Sequence, residues 1–144
     1  MKILAIDLTY ASFGGADTQI TQIMKNIDVY DFDKYIIYMN DDNAELFDVN
    51  NNNISLVNVR YTSKLLLIRI FWQQLVLPFR LLYDNATILF SPGNISPIFS
   101  FTDKAQWIGT IGPFERDFYK YFPIKNKILL YLNKLLMKYS ALTS

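Results

Sequence analysis

The chain predicts an α/β fold, a mostly parallel sheet flanked by helices, on three observations. Short apolar runs of strand length alternate with longer segments whose apolar residues recur every three or four positions. The first run, Ile3 to Leu8, is almost continuously apolar, as expected of a parallel strand covered on both faces. It leads through a short polar stretch to Gly14-Gly15, and a helical pattern begins at Ala16. Strand, glycine loop and helix entry is how α/β domains present backbone N–H groups to an anionic ligand.

The elements follow in order. Lys2 to Leu8 is the first strand. Ala16 to Ile27 is a helix, with Ile20, Ile23, Met24 and Ile27 on one face. Asp31-Phe32-Asp33 turns the chain into a second strand, Tyr35 to Met39. Asp41-Asp42-Asn43 can cap a short helical turn at Ala44 to Phe47. Asn50 to Asn53 makes an exposed turn before a third strand, Ile54 to Val59.

Leu65 to Tyr83 is helical by length, with Arg69, Gln73 and Arg80 within about 40° of one another on the helical wheel. So narrow a polar stripe predicts a helix largely buried against the sheet or another element, kinked or interrupted at Pro78. Ile88 to Ser91 is a fourth strand closed by Pro92-Gly93-Asn94, and Ala105 to Thr110 is a fifth. The last helix runs from about Lys125 to Tyr139. Lys127, Tyr131, Lys134 and Lys138 form one stripe, and Ile128, Leu132, Leu135, Leu136 and Tyr139 form the other. Right-handed crossovers between these strands give a Rossmann-like parallel sheet in one domain of 144 residues, without internal repeat or linker.

Composition removes several chemistries. Half the residues are hydrophobic, with eleven Phe, ten Tyr and two Trp, so the chain is not globally disordered. A formal charge of +1 supplies no overall field to attract nucleic acid, and no nucleic-acid partner is expected. Without cysteine there is no disulfide framework and no thiolate chemistry. Without histidine there is neither a His-based triad nor the commonest metal ligand, and no metal site is expected. Asp7 interrupts the N-terminal apolar stretch and no small-residue cleavage site follows, against a secretory signal. The segment Lys64 to Tyr83 is broken by Arg69, Gln73, Gln74, Pro78 and Arg80, short of the roughly 18 uncharged apolar residues of a membrane span. A cytoplasmic location is expected.

In an open parallel sheet, ligands bind beyond the carboxyl ends of the strands. Three glycine-containing loops fall there: Ser12 to Gly15, Pro92 to Asn94, and Gly109 to Phe114. Gly14-Gly15 lacks the third glycine of the dinucleotide fingerprint and the Gly-Lys-Ser/Thr of a Walker loop. The pair can make an anion-binding turn or simply a tight strand-to-helix connection. Glu115 and Arg116 can meet a polar substrate or form a solvated pair. Asp7 can face the cleft or satisfy neighbouring loop amides. No paired carboxylates appear, and no catalytic residue is assigned.

The order of these segments closely resembles the N-terminal domain of bacterial GT-B glycosyltransferases of family 4. Four stretches carry the resemblance over nearly the whole chain. They are the opening strand with Gly14-Gly15 and its helix, and Trp72-Gln73-Gln74-Leu75-Val76-Leu77-Pro78, similar to the family's Trp-Glu-Gln-x-x-Leu-Pro helix. Leu89-Phe90-Ser91-Pro92-Gly93-Asn94 and Thr110 to Phe114 with the following helix complete the set.

The resemblance implies transfer of a sugar from a nucleotide-sugar donor, with retention and without a required metal or other cofactor. The acceptor would be a saccharide or a lipid-linked acceptor of bacterial surface polysaccharide synthesis. Gly14 and Gly15 would approach the donor diphosphate; Pro92, Gly93, Asn94, Pro113, Phe114 and Glu115 would border the acceptor. Where relatives carry a His-Asp pair or an Asn after the fifth strand, this chain has Thr110-Ile111-Gly112. Relatives also continue past the equivalent of Ala141 to Ser144 into a C-terminal donor-binding domain with a Glu-x7-Glu motif and a basic pair, absent here.

The chain therefore reads as the acceptor-side half of such an enzyme, inactive alone: a truncated product, an isolated domain, or one piece of a split enzyme whose donor domain is a separate chain. The reading from another class is a non-catalytic nucleotide- or phosphate-binding α/β module. The lysine stripe of the last helix permits peripheral contact with the inner face of the plasma membrane, or is a solvated face.

Overall fold

A computed structural model of the chain describes residues 1–9, 15–27, 31–41, 52–63, 66–109, 112–115 and 117–144. The expected helical turn at Ala44 to Phe47, the first half of the asparagine run, and Gly14, Thr110, Ile111 and Arg116 lie outside the described residues. Strands β1 (Ile3–Asp7), β2 (Lys34–Met39), β3 (Ile54–Asn58), β4 (Ile88–Ser91) and β5 (Asp103–Gln106) form one sheet in the order β3-β2-β1-β4-β5. Every neighbouring pair is parallel, with Asp7 opposite Tyr38, Ile6 opposite Phe90 and Ser91 opposite Gln106. The expected α/β Rossmann-like architecture is thus present. The fifth strand starts two residues earlier than expected, at Asp103, and has ended by Trp107.

Helix α1 (Gly15–Lys25) covers one face of the sheet. There Ile23, Met24 and the following Ile27 pack with Leu4, Ile6, Leu8, Ile37 and Met39. The Tyr35 hydroxyl donates to the Ile27 carbonyl (2.9 Å), pinning the return from helix to sheet. On the opposite face the fully buried Leu77 and Leu81 pack with Ile3, Ala5, Ile36, Tyr38 and Leu89. Burying each such side chain contributes about 2 kcal/mol before entropy is counted.

The helical run carrying Leu77 and Leu81 differs from the sequence expectation. It is α2 (Leu66–Phe71), a π-helical turn over Trp72–Val76, and α3 (Leu77–Tyr83). The Leu77 N–H reaches back five residues to the Trp72 carbonyl, so the helix widens just before Pro78, which cannot donate. The run is largely exposed, not largely buried: Leu67, Phe71, Leu75, Phe79 and Leu82 all face outward. Its polar side chains turn inward because buried backbone and carboxylate groups need them: the Arg69 guanidinium donates to the Thr62 carbonyl, and Gln73 is fully buried. By length and composition, Leu66–Tyr83 is long and apolar enough to cross a membrane, contrary to the reading from its interrupted sequence.

Helix α4 (Ile124–Leu142) lies on the same side as α2, where its Leu132, Leu136 and Met137 meet Ile70 around the buried Ile95. Its inner face is therefore not the stripe read from sequence. Ile128 and Tyr139 of that stripe are exposed, and Met137 and Ser140 are buried in their place. Lys104 of β5 ties the end of α4 to the β4–β5 connection by donating to the Thr143 hydroxyl (2.6 Å) and to the Ile98 carbonyl (3.2 Å).

Candidate functional site

The chain runs β1 to β2 to β3 outward, then crosses back to β4 beside β1, so the carboxyl ends of β1 and β4 flank the point where strand order reverses. A buried polar cluster sits there. Asp7, the last residue of β1, accepts from the Thr9 backbone N–H (3.1 Å), the Thr9 hydroxyl (2.6 Å) and Gln73 Nε2 (2.8 Å). The local Thr9 contacts are those of an Asx-type turn closing the strand. Asn40, at the end of β2, donates to the Thr9 carbonyl (3.1 Å), extending the cluster to the next strand. Burial pushes the Asp7 carboxyl above its usual value, against the hydrogen bonds from Thr9 and Gln73, which favour the charged form.

Gln73 also donates to the Ile95 carbonyl (2.8 Å), and its neighbour grips the same loop. Gln74 Nε2 donates to the Ser96 carbonyl (3.1 Å), while its Oε1 accepts from the Ile98 N–H (2.9 Å). Adjacent residues of a regular helix diverge by about 100° and would rarely reach one short segment together. Here both do, from the π turn. Beside Gln73, Trp72 packs edge-on against Tyr38 at 5.9 Å. The Tyr38 hydroxyl donates to Asp84 (2.7 Å), which Arg80 also binds (2.7 Å). Burial, then the Asp84 hydrogen bond and charge, push the Tyr38 phenol well above its usual value.

Of the expected acceptor-side residues, Pro92 and Gly93 are buried and Asn94 is half-buried in this clamped loop. Asn94 has a left-handed backbone (φ 68°), which asparagine tolerates better than most residues. Its Oδ1 accepts from the Gly109 N–H (2.6 Å), its N–H donates to the Trp107 carbonyl (3.2 Å), and its carbonyl accepts from Gln106 Nε2. The loops after β4 and β5 are therefore joined through Asn94. Pro113 is buried in a tight turn, Gly112–Phe114, and Phe114 and Glu115 are exposed. That turn is held by α4, whose Lys134 ammonium lies 5.7 Å from the centre of the Phe114 ring. A Cβ at Gly112 would lie 3.0 Å from the Phe118 ring, which would have to give by a few tenths of an ångström to admit it. Gly15 opens α1, an 11-residue helix; Gly14 lies outside the described residues.

Gln73 Oε1, Ser91 Oγ and Ser96 Oγ are buried beneath these loops without a hydrogen-bond partner among the described residues. No group of His, Cys, Asp and Glu among the described residues could hold a metal ion. Of the three loops singled out from sequence, only Pro92 to Asn94 lies wholly within the described residues, and the sequence reading assigns no role at the site to Gln73, Gln74, Thr9 or Asn40. The available signal was a pair of glutamines inside an otherwise apolar run, where an amide needs an internal partner. Comparison of the chain with protein-family models, curated proteins and solved structures found no match.

Proposed function

We propose that the chain is the acceptor-side domain of a retaining GT-B glycosyltransferase, working in the cytoplasm with a donor-binding domain to move a sugar from a nucleotide-sugar onto a saccharide or lipid-linked acceptor. The observation that carries this reading is the double grip of Gln73 and Gln74 on the Ile95–Ile98 loop, beside the carboxyl ends of β1 and β4. The same sequence segment carries one of the two specific parts of the resemblance, and a clamped loop at a strand-order reversal suits a binding wall.

In this reading Gly14 and Gly15 offer backbone N–H groups to the donor diphosphate at the start of α1, where the helix dipole favours negative charge. Pro92, Gly93 and Asn94, with Pro113, Phe114 and Glu115, border the acceptor. Glu115 supplies a carboxylate and Phe114 an apolar face, the pairing of polar and aromatic groups that suits a sugar ring. Supplying a donor domain as a separate chain tests the proposal. Sugar transfer that appears only with both chains supports it, and robust transfer by residues 1–144 alone overturns it.

A further inference from the structure

The α2–α3 run turns an uncharged apolar ridge to water. Leu67, Phe71 and Phe79 are 58–66% exposed, and Leu75 and Leu82 are about half exposed. Spaced by four, four, four and three, these residues would spread around a regular helix. The extra residue of the π turn over Trp72–Val76 rotates the last three back. All five then lie within about 80° of one another, opposite the buried Leu77 and Leu81. The ridge broadens onto the β4–β5 connection, where Phe101 lies 5.7 Å from Phe79 and 4.6 Å from Phe99, both rings of that connection being exposed. Together these seven residues leave roughly 800 Å² in water, more than the largest apolar patch of an ordinary monomer and equal to one partner's share of a standard-size interface. The flanking cations are already engaged. Arg80 pairs with Asp84 at 2.7 Å, the Arg69 guanidinium donates to the Thr62 carbonyl, and Lys104 donates to Thr143 and to the Ile98 carbonyl.

We infer that this ridge is the interface of a homodimer, in which two copies of the chain pack it on itself about a two-fold axis near Leu75. Charge and shape both choose a second copy. A two-fold interface sets each side chain near its own kind, so a charged ridge would repel itself and an uncharged one does not. A row spaced by four fits the groove beside the same row of a facing helix, with the axes crossing at about −50°. Leu75 is the middle of the five and meets its copy on the axis, with Phe71 and Phe79 of each chain to either side. A nucleic acid or an anionic bilayer would be recognised through cations, and the ridge carries none. Gln73, Leu77 and Leu81 fix the run to the sheet, so the two copies meet as preformed surfaces with little ordering cost. The inference stands independently of glycosyl transfer.

Sedimentation analysis tests it. At about 10 µM the chain should sediment as a species of twice 16.8 kDa. Leu75→Glu should raise the dimer dissociation constant at least about a hundredfold, and Leu75→Lys should do the same, because each sets like charges face to face on the axis. Mixing the two variants should restore a dimer containing one of each, a result that a folding defect or a foreign partner would not produce. The chain has no cysteine, so Leu75→Cys supplies a single reactive thiol without adding charge. A short bismaleimide should join two copies through it, whereas Lys25→Cys on α1, at the other face of the sheet, should stay unlinked. A monomer at this concentration would overturn the inference, as would a dimer that survives Leu75→Glu, mixed variants that stay monomeric, or a dimer that Ile128→Ser on α4 dissociates. So would flotation of a monomer with phosphatidylcholine vesicles, since lipid would then cover the ridge.

Discussion

Replacing Gln73 by Leu keeps the volume of a fully buried side chain but removes two hydrogen bonds, to Asp7 (2.8 Å) and to the Ile95 carbonyl (2.8 Å). Losing a donor to a buried carboxyl and stranding a buried carbonyl each cost about 2 kcal/mol; removing the partnerless Gln73 Oε1 returns about 1 kcal/mol. The net expectation is a loss of about 3 kcal/mol, or about 10 °C in Tm for a chain of this size. Urea unfolding followed by the fluorescence of Trp72 and Trp107 measures it.

The loss should also depend on pH. Because burial raises the folded-state pKa of Asp7, the protonated carboxyl favours folding below the unfolded-state value, and that contribution disappears as pH rises through the raised value. Gln73 holds the pKa down, so its removal raises it further. The deficit should therefore be largest at neutral pH and shrink toward about pH 4. A deficit below about 1 kcal/mol, or one equal at both pH values, would refute the assignment of Gln73 as the partner that makes a buried Asp7 tolerable.

Three further outcomes follow from named contacts. Asn94→Ala should destabilise by about 2 kcal/mol and Asn94→Gly by about 1 kcal/mol, since both lose the bond to Gly109 but only alanine strains the left-handed backbone; denaturant titration separates them. Gly112→Ala should cost about 1 kcal/mol through the Phe118 ring, and the cost should fall in a Phe118→Leu background, as a thermal-melt double-mutant cycle would measure. Tyr38→Phe should cost about 1 kcal/mol in urea by removing a donor to Asp84. In alkaline spectrophotometric titration, Tyr38→Phe should remove one phenol from the group that ionises late.

The first four strands were largely legible because each is a mostly apolar run bounded by turn residues, and β4 lies where expected at Ile88 to Ser91; β5, with the polar sequence Asp103–Gln106, carries no such pattern and begins two residues earlier than expected. The orientation of the Leu66–Tyr83 run was not. A wheel of constant pitch aligns Arg69, Gln73 and Arg80, but the π turn adds a residue and rotates everything after it by about 100°. Gln73 then serves Asp7 and Ile95, while Arg80 serves Asp84 at the far end of α3. Apolar residues on several sides of a helix leave its inner face undetermined by pattern alone. For that reason Ile128 was grouped with Leu132 and Leu136 although it is exposed. The loop residues Pro92 to Asn94 were legible from their glycine and strand-end position, whereas the glutamine clamp depends on residues more than twenty positions away.

Titration of the isolated chain with nucleotide-sugars and their nucleoside diphosphates, followed through the backbone amide resonances, tests the central reading most directly. An acceptor-side domain should show no tight, saturable nucleotide binding, and should respond to saccharide acceptors at Asn94, Gly109 and Phe114. Tight nucleotide binding by the chain alone, centred on the start of α1, would contradict it and point to a free-standing nucleotide-binding module.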